Sequence, residues 1–301
     1  MITTTHAAYT YEIFLTDFYH IIREYPFLTH GTIGKSVLGK DIPFLRFGTG
    51  ARKIILCGAH HGKEWITSML LSAVSEALSS YHQQGKRFGE QHISSLFASS
   101  SFYIIPMLNP DGVNLCINGL TDDIPVYTRS RLIGMNQNSR DFVGKWQANI
   151  RGIDLNHNYD ALFQKGSALA FADGVYSPGS GRFGGEHPES EPESRALADF
   201  TRDIVPDIVI AYHSQGEEIF YTFNGFCPPG CELLARRYAQ KSGYQLIEAS
   251  GLTDCSGYKD WVMDTFRIPA LTVEVGLGEN PLPISQFNKI FADNFSAIVC
   301  I

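Results

Sequence analysis

The stretch Lys53-Ile54-Ile55-Leu56-Cys57-Gly58-Ala59-His60-His61-Gly62-Lys63-Glu64-Trp65 decides how this chain is read. Its first five residues form a short apolar run with the character of a buried strand. The chain then passes through Gly58 and Ala59 into two histidines and, from Glu64 onward, a helical pattern. A histidine and a carboxylate three residues apart, where a strand gives way to a helix, can converge on one metal ion. One imidazole nitrogen and one carboxylate oxygen supply half of a tetrahedral site. Alone the tetrapeptide is a weak signal, because a helix-opening Glu64 also suits the helix dipole. His60 has the wrong spacing to Glu64 and is expected to be no ligand.

Two later stretches answer it. Asp207-Ile208-Val209-Ile210-Ala211-Tyr212-His213-Ser214 is another apolar run with a histidine at its C-terminal end. Pro269-Ala270-Leu271-Thr272-Val273-Glu274-Val275-Gly276 sets an acid inside an otherwise apolar strand. Burying a lone carboxylate is costly, so Glu274 needs a partner or a task. In open α/β sheets ligands gather beyond the carboxyl ends of strands. Three such ends carry His61 with Glu64, His213, and Glu274. Two histidines and a glutamate around one zinc ion, with a free position and a non-ligand carboxylate nearby, are the apparatus of metal-assisted amide hydrolysis.

Around these ends the spacing predicts a helix over 10–24 and strands near 29–35, 42–48, 53–58 and 101–108. Helices follow at 64–81 and 189–204, then strands at 207–213 and 217–222. A helix at 231–242, a strand at 244–249, a helix at 258–266, a strand at 270–275 and a helix at 283–298 complete the pattern. Strands alternating with helices predict an α/β fold with a largely parallel or mixed sheet covered on both faces. No repeat or linker divides the 301 residues, so one domain over 1–301 is expected. The stretch 112–188, rich in Gly, Asn, Asp and Ser, reads as an irregular segment walling the cleft.

With 44% apolar and 18% charged residues the chain suits a large buried core. A net charge of −7 and no basic stripe exclude nucleic acid as a main partner. No apolar run is long enough to span or insert into a membrane. Met1-Ile2-Thr3-Thr4-Thr5-His6 shows no signal-peptide pattern. The six cysteines, at 57, 116, 227, 231, 255 and 300, form no framework. Reduced thiols and a cytoplasmic location are the expectation.

These motifs, in this order, resemble the zinc carboxypeptidases related to carboxypeptidase A, from about residue 40 onward. The resemblance rests on His61–Glu64, Asn109-Pro110-Asp111-Gly112, Gly152-Ile153-Asp154-Leu155-Asn156, Ser190-Glu191-Pro192-Glu193, His213-Ser214, Asp260-Trp261 and Glu274. It implies a single domain with a mixed, twisted eight-stranded sheet flanked by helices. It also implies one zinc ion held by His61, Glu64 and His213, with Glu274 as general base and acid.

The departures redirect the reading. The family pairs the asparagine at Asn156 with an arginine that grips the substrate's terminal carboxylate. Here the next residue is His157, which cannot offer arginine's two-pronged fork. Gln147 stands where the family's oxyanion-stabilising arginine is expected; Arg151 is taken as its replacement, with Lys145 and Arg140 as the other candidates. The family's mobile tyrosine has no certain counterpart, and Tyr258 has the wrong offset from Asp260-Trp261. The run Trp146-Gln147-Ala148-Asn149-Ile150-Arg151-Gly152-Ile153-Asp154-Leu155-Asn156-His157-Asn158-Tyr159 is most similar to the bacterial γ-D-glutamyl-L-diamino acid peptidases. In that branch the bond cut lies between γ-D-glutamate and meso-diaminopimelate of cell-wall peptides. The resemblance puts Lys259 at the floor of the leaving-group pocket, suited to a side chain ending in a carboxylate. Asn156, His157, Gln147, Lys259 and Tyr258 are therefore the expected substrate-binding residues, and a peptide or muropeptide the expected partner. A conventional carboxypeptidase is the alternative, opposed by His157. An aspartoacylase-type deacylase would lack the Ser-Glu-Pro-Glu and Gly-x-Asp-x-Asn runs. A purely binding module would have no need of Glu274.

Overall fold

The computed structural model describes residues 8–301, so the segment read for a signal peptide lies outside the described residues. Eight strands make one mixed sheet: β1 (Thr29–Lys35), β2 (Asp41–Phe47), β3 (Arg52–Gly58), β4 (Ser100–Ile105), β5 (Ile208–His213), β6 (Glu218–Phe220), β7 (Gln245–Ile247) and β8 (Ala270–Glu274). Their spatial order is β1-β2-β4-β3-β5-β8-β6-β7. The centre, β4-β3-β5-β8, is parallel, and antiparallel pairings at β2/β4 and β8/β6 lead to the edges. The central strands are buried on both faces, which is why they read as unbroken apolar runs. Edge strand β1 is largely exposed and its sequence, THGTIGK, is correspondingly polar.

Helices cover both faces. They are α1 (Tyr11–Glu24), α2 (Ile66–Gln83), α3 (Ile93–Ser99), α4 (Pro110–Asn118), α5 (Val126–Met135), α6 (Phe163–Ala172), α7 (Pro192–Ile204), α8 (Cys231–Ser242), α9 (Tyr258–Phe266) and α10 (Phe287–Val299). Alternation along the strands divides the aromatic residues between the faces. Phe47 of β2 meets Phe97 on the α3 side, at 5.1 Å between ring centroids. Phe44 of β2 and Tyr103 of β4 meet Phe200 of α7 on the other, at 4.9 and 5.9 Å. Each fully buried side chain of this size stabilises by about 1.5–3 kcal/mol.

The expected strands and the helices outside 112–188 are present, with ends shifted by up to four residues. The long segment is less irregular than its composition predicts: α5 and α6 lie inside it, and α4 runs into it. A short ribbon, Arg87–Phe88 with Gln91–His92, and α3 were not anticipated. Among the described residues no helix is long and apolar enough to cross a membrane.

Candidate active site

The site lies where the parallel strands end. After β3 the chain makes one 3-10 turn, Gly62–Glu64, before α2. Gly62 lets that turn lie against the following loops: its N–H donates to the Gln147 carbonyl at 2.7 Å, and a Cβ there would sit 2.4 Å from the Gly112 carbonyl oxygen. Asn109 pins the same junction. Its side chain caps α4 through the Gly112 N–H at 2.9 Å and donates to the His60 carbonyl at 3.0 Å. His213 is the last residue of β5 and Glu274 the last of β8, and parallel register places them side by side.

His61, Glu64 and His213 converge. His61 Nδ1 lies 2.8 Å from Glu64 Oε1, and His213 Nδ1 lies 3.0 Å from Glu64 Oε2. The two Nδ1 atoms are 3.3 Å apart. Ligands held tetrahedrally at zinc distances sit roughly 3.3 Å from one another, so the donor set and its spacing fit that ion. The second nitrogen of His61 supports this. Nε2 is 2.9 Å from Asp154 Oδ1, so an Nε2–H donated there leaves the Nδ1 lone pair facing inward. Among the described residues this is the cluster of His, Cys, Asp and Glu side chains spaced to hold a metal.

Asp154, a motif residue given no role in the sequence reading, is thus a positioning residue. Besides His61 it accepts from Gln147 Nε2 at 2.8 Å and from the backbone N–H groups of Asn156 and Arg182 at 3.2 and 2.8 Å. Burial opposes its ionisation, but the nearby histidines and these donors hold it well below the usual carboxylate range. The signal available in the sequence was an acid two residues before Asn156, buried by its apolar neighbours. His60 points elsewhere, with Nε2 3.2 Å from the Tyr159 hydroxyl, as its spacing requires.

Glu274 borders the triad and opens on the cleft. Burial and the adjacent Glu64 push its carboxyl well above the usual range, with His61 opposing and Glu218 adding to the rise. A divalent cation on the triad would offset the Glu64 contribution. Glu274 thus stands beside the triad as a carboxyl that borders the cleft.

The cleft divides on either side of the triad. One lobe, a cavity of about 150 Å³, is bordered by Asn156, His157, Lys259 and Asp260 together with His61, His213 and Glu274. Lys259 is buried there, ion-paired with Asp260, and donates to the Thr222 carbonyl at 2.6 Å. His157 Nδ1 lies 3.4 Å from the Cys255 carbonyl, and Asn156 accepts from the Tyr258 N–H at 3.1 Å. The other lobe, about 300 Å³, is bordered by Lys63, Gln147, Ser214, Glu218 and Asn280 with Glu64 and Glu274.

Three residues read toward the site lie elsewhere. Arg151 borders neither lobe; it is half exposed, with its guanidinium 3.5 Å from Glu191. Lys145 is turned to Asp141 on the surface. Tyr258 is fully buried, and its hydroxyl bonds Thr201 of α7 at 2.6 Å. Neighbours in a helix diverge by about 100°, so Lys259 faces the cleft while Tyr258 enters the core. The cation overlooked in the sequence was Lys63, one residue before a ligand. The Ser190–Glu193 motif is structural: Glu191 and Glu193 receive Asn149 Nδ2 at 2.8 and 3.3 Å, and burial lifts Glu193 to about 7.

Residues 16–297 match the model of the zinc carboxypeptidase family. The chain belongs to that family. It is 36% identical to Gamma-D-glutamyl-L-diamino acid endopeptidase 1 of Lysinibacillus sphaericus, over 95% of this chain and 70% of that protein. Carboxypeptidase B of Bos taurus is 28% identical over 65% of this chain and 42% of its own length. The crystal structure of carboxypeptidase A from Helicoverpa armigera superposes with a TM-score of 0.69 at 19% identity, covering 96% of this chain and 71% of that one. The fold is that of a carboxypeptidase, and family membership makes this chain a metallopeptidase, a hydrolase of peptide bonds.

Proposed function

We propose that the protein is a zinc peptidase that hydrolyses the amide between γ-D-glutamate and meso-diaminopimelate in bacterial cell-wall peptides. The observation that carries this reading is the lobe of His157 and Lys259. Where the family has an arginine fork for a terminal carboxylate, this lobe offers an imidazole, so a chain continuing past the leaving residue leaves no buried arginine unpaired. Its cation sits deeper, on Lys259, whose ammonium keeps one N–H beyond those given to Asp260 and the Thr222 carbonyl and would suit a carboxylate at the end of a long side chain such as diaminopimelate carries. The similarity to the Lysinibacillus enzyme supports the same substrate class.

His61, Glu64 and His213 would hold the zinc, which when bound supplies an activated water and polarises the scissile carbonyl. Glu274 takes the proton of the attacking water and returns it to the leaving amine. Asp154 fixes the orientation of His61. Asn156 and His157 flank the leaving group and Lys259 receives its side chain; Gln147 faces the acyl side. The test is to offer L-Ala-γ-D-Glu-diaminopimelate and an ordinary peptide with a free C-terminal residue to the zinc-loaded protein. Hydrolysis of the first with little of the second is expected; the reverse preference would make the protein a conventional carboxypeptidase.

A further inference from the structure

The larger lobe contains a charge that the mechanism does not use. Ser214 Oγ donates to Asn280 Oδ1 at 2.7 Å while Asn280 Nδ2 donates to the Ser214 carbonyl at 2.6 Å, so these two satisfy each other. Gln147 is engaged by Asp154. Lys63 borders the same space, with Glu218 also in its lining, and among the described residues is in no ion pair. It is the cation of this lobe, carried on the turn that supplies Glu64. Because the lobe of Lys259 takes the leaving group in the reading above, the lobe of Lys63 takes the acyl group.

A γ-linked glutamyl group differs from most acyl residues in chemistry as well as linkage. Its α-carboxylate is free and stands three carbons from the scissile carbonyl. An ordinary peptide presents such a charge only where an acidic residue happens to fall. A lysine on a polar, water-accessible wall matches a compact carboxylate, whereas a neutral acyl residue would leave it solvated and gain nothing from it.

We propose that Lys63 binds the free α-carboxylate of the γ-glutamyl acyl group and is the specificity-determining residue of this lobe. The inference rests on the function proposed above and adds a determinant to it: each side of the scissile amide bears a carboxylate, and each side of the triad bears one lysine.

The experiment compares L-Ala-γ-D-Glu-diaminopimelate with the same peptide whose glutamyl α-carboxyl is a carboxamide, using zinc-loaded wild type, Lys63→Met and Lys63→Arg. Wild type is expected to favour the carboxylate substrate in kcat/KM on the order of 10- to 100-fold, as for one charged hydrogen bond. Lys63→Met, with its zinc content unchanged, should lose that margin on the carboxylate substrate alone, and Lys63→Arg should keep most of it. The wild-type comparison and the arginine variant decide the matter even if the methionine variant fails to fold. Equal cleavage of both substrates by wild type would overturn the role of Lys63 and leave the proposed function standing. An equal loss on both substrates in Lys63→Met would also overturn it, because the lysine would then act on the reacting atoms. If wild type cleaves neither, the proposed function fails and this inference with it.

Discussion

The two lobes flanking the His61–Glu64–His213 triad are built on different principles. Around Lys259 the space is small and the cation is sunk among protein atoms, with Asp260 and the Thr222 carbonyl engaging two of its three N–H donors. Around Lys63 the space is about twice as large, and its cation has no ion-pair partner among the described residues. The first lobe comes from a helix N-terminus packed into the core, through Asp260, whose Oδ2 receives the Gly257 N–H at 3.1 Å. The second comes from loop ends and the Gly62–Glu64 turn, in which Lys63 is part-exposed between two buried residues. A buried, pre-paired charge selects by geometry and resists change, whereas a solvated charge tunes preference at little structural cost.

Glu274 borders both lobes, and with the role proposed for it its removal should have the largest effect. Glu274→Gln is expected to fold and retain zinc while losing at least about 10²-fold in kcat, as for a lost general base. Activity within a few-fold of wild type would move the proton transfer elsewhere. The contrast in construction predicts unequal structural effects. Lys259→Met leaves Asp260 buried without its cation and should lower unfolding free energy by about 3 kcal/mol. Lys63→Met should change it by no more than about 0.5 kcal/mol. Denaturant titration of both variants checks this, and similar losses would erase the distinction between the lobes.

Asp154→Ala should weaken zinc binding on the order of 10- to 100-fold, since His61 loses the partner that sets its tautomer. Competition with a chromogenic chelator measures it, and unchanged affinity would show that the triad needs no such support. The finest adjustment concerns His157→Arg. Restoring the fork should shift preference toward a tripeptide whose diaminopimelate ends the chain, over a tetrapeptide extended by D-alanine, by about 1–3 kcal/mol in kcat/KM. No shift would mean that residue 157 does not meet the leaving group.

What was legible in the sequence follows the same division. The central strands announced themselves because both faces are buried, and the triad because each member sits at a strand end. Helices α5 and α6 did not: α5 buries only Leu132, and α6 packs through Phe163, Gly166 and Ala170, so neither carries a strong apolar stripe. Side-chain direction in loops was the other gap. Arg151 follows Asn149, whose Oδ1 receives its N–H at 2.9 Å, and that turn sends the guanidinium toward Glu191 instead of the cleft. Lys63 was passed over because its neighbours, His61 and Glu64, already explained the motif. Backbone position was predictable there; the facing of each side chain depended on contacts distant in sequence.

One product analysis tests the central claim most directly. The zinc-loaded protein is incubated with L-Ala-γ-D-Glu-diaminopimelate-D-Ala and the fragments are identified by mass spectrometry. Cleavage at the γ-glutamyl amide gives L-Ala-D-Glu and diaminopimelate-D-Ala, the result this account predicts. Release of free D-alanine with the tripeptide left intact would contradict it, because the lobe of His157 would then be gripping a terminal residue as a carboxypeptidase does.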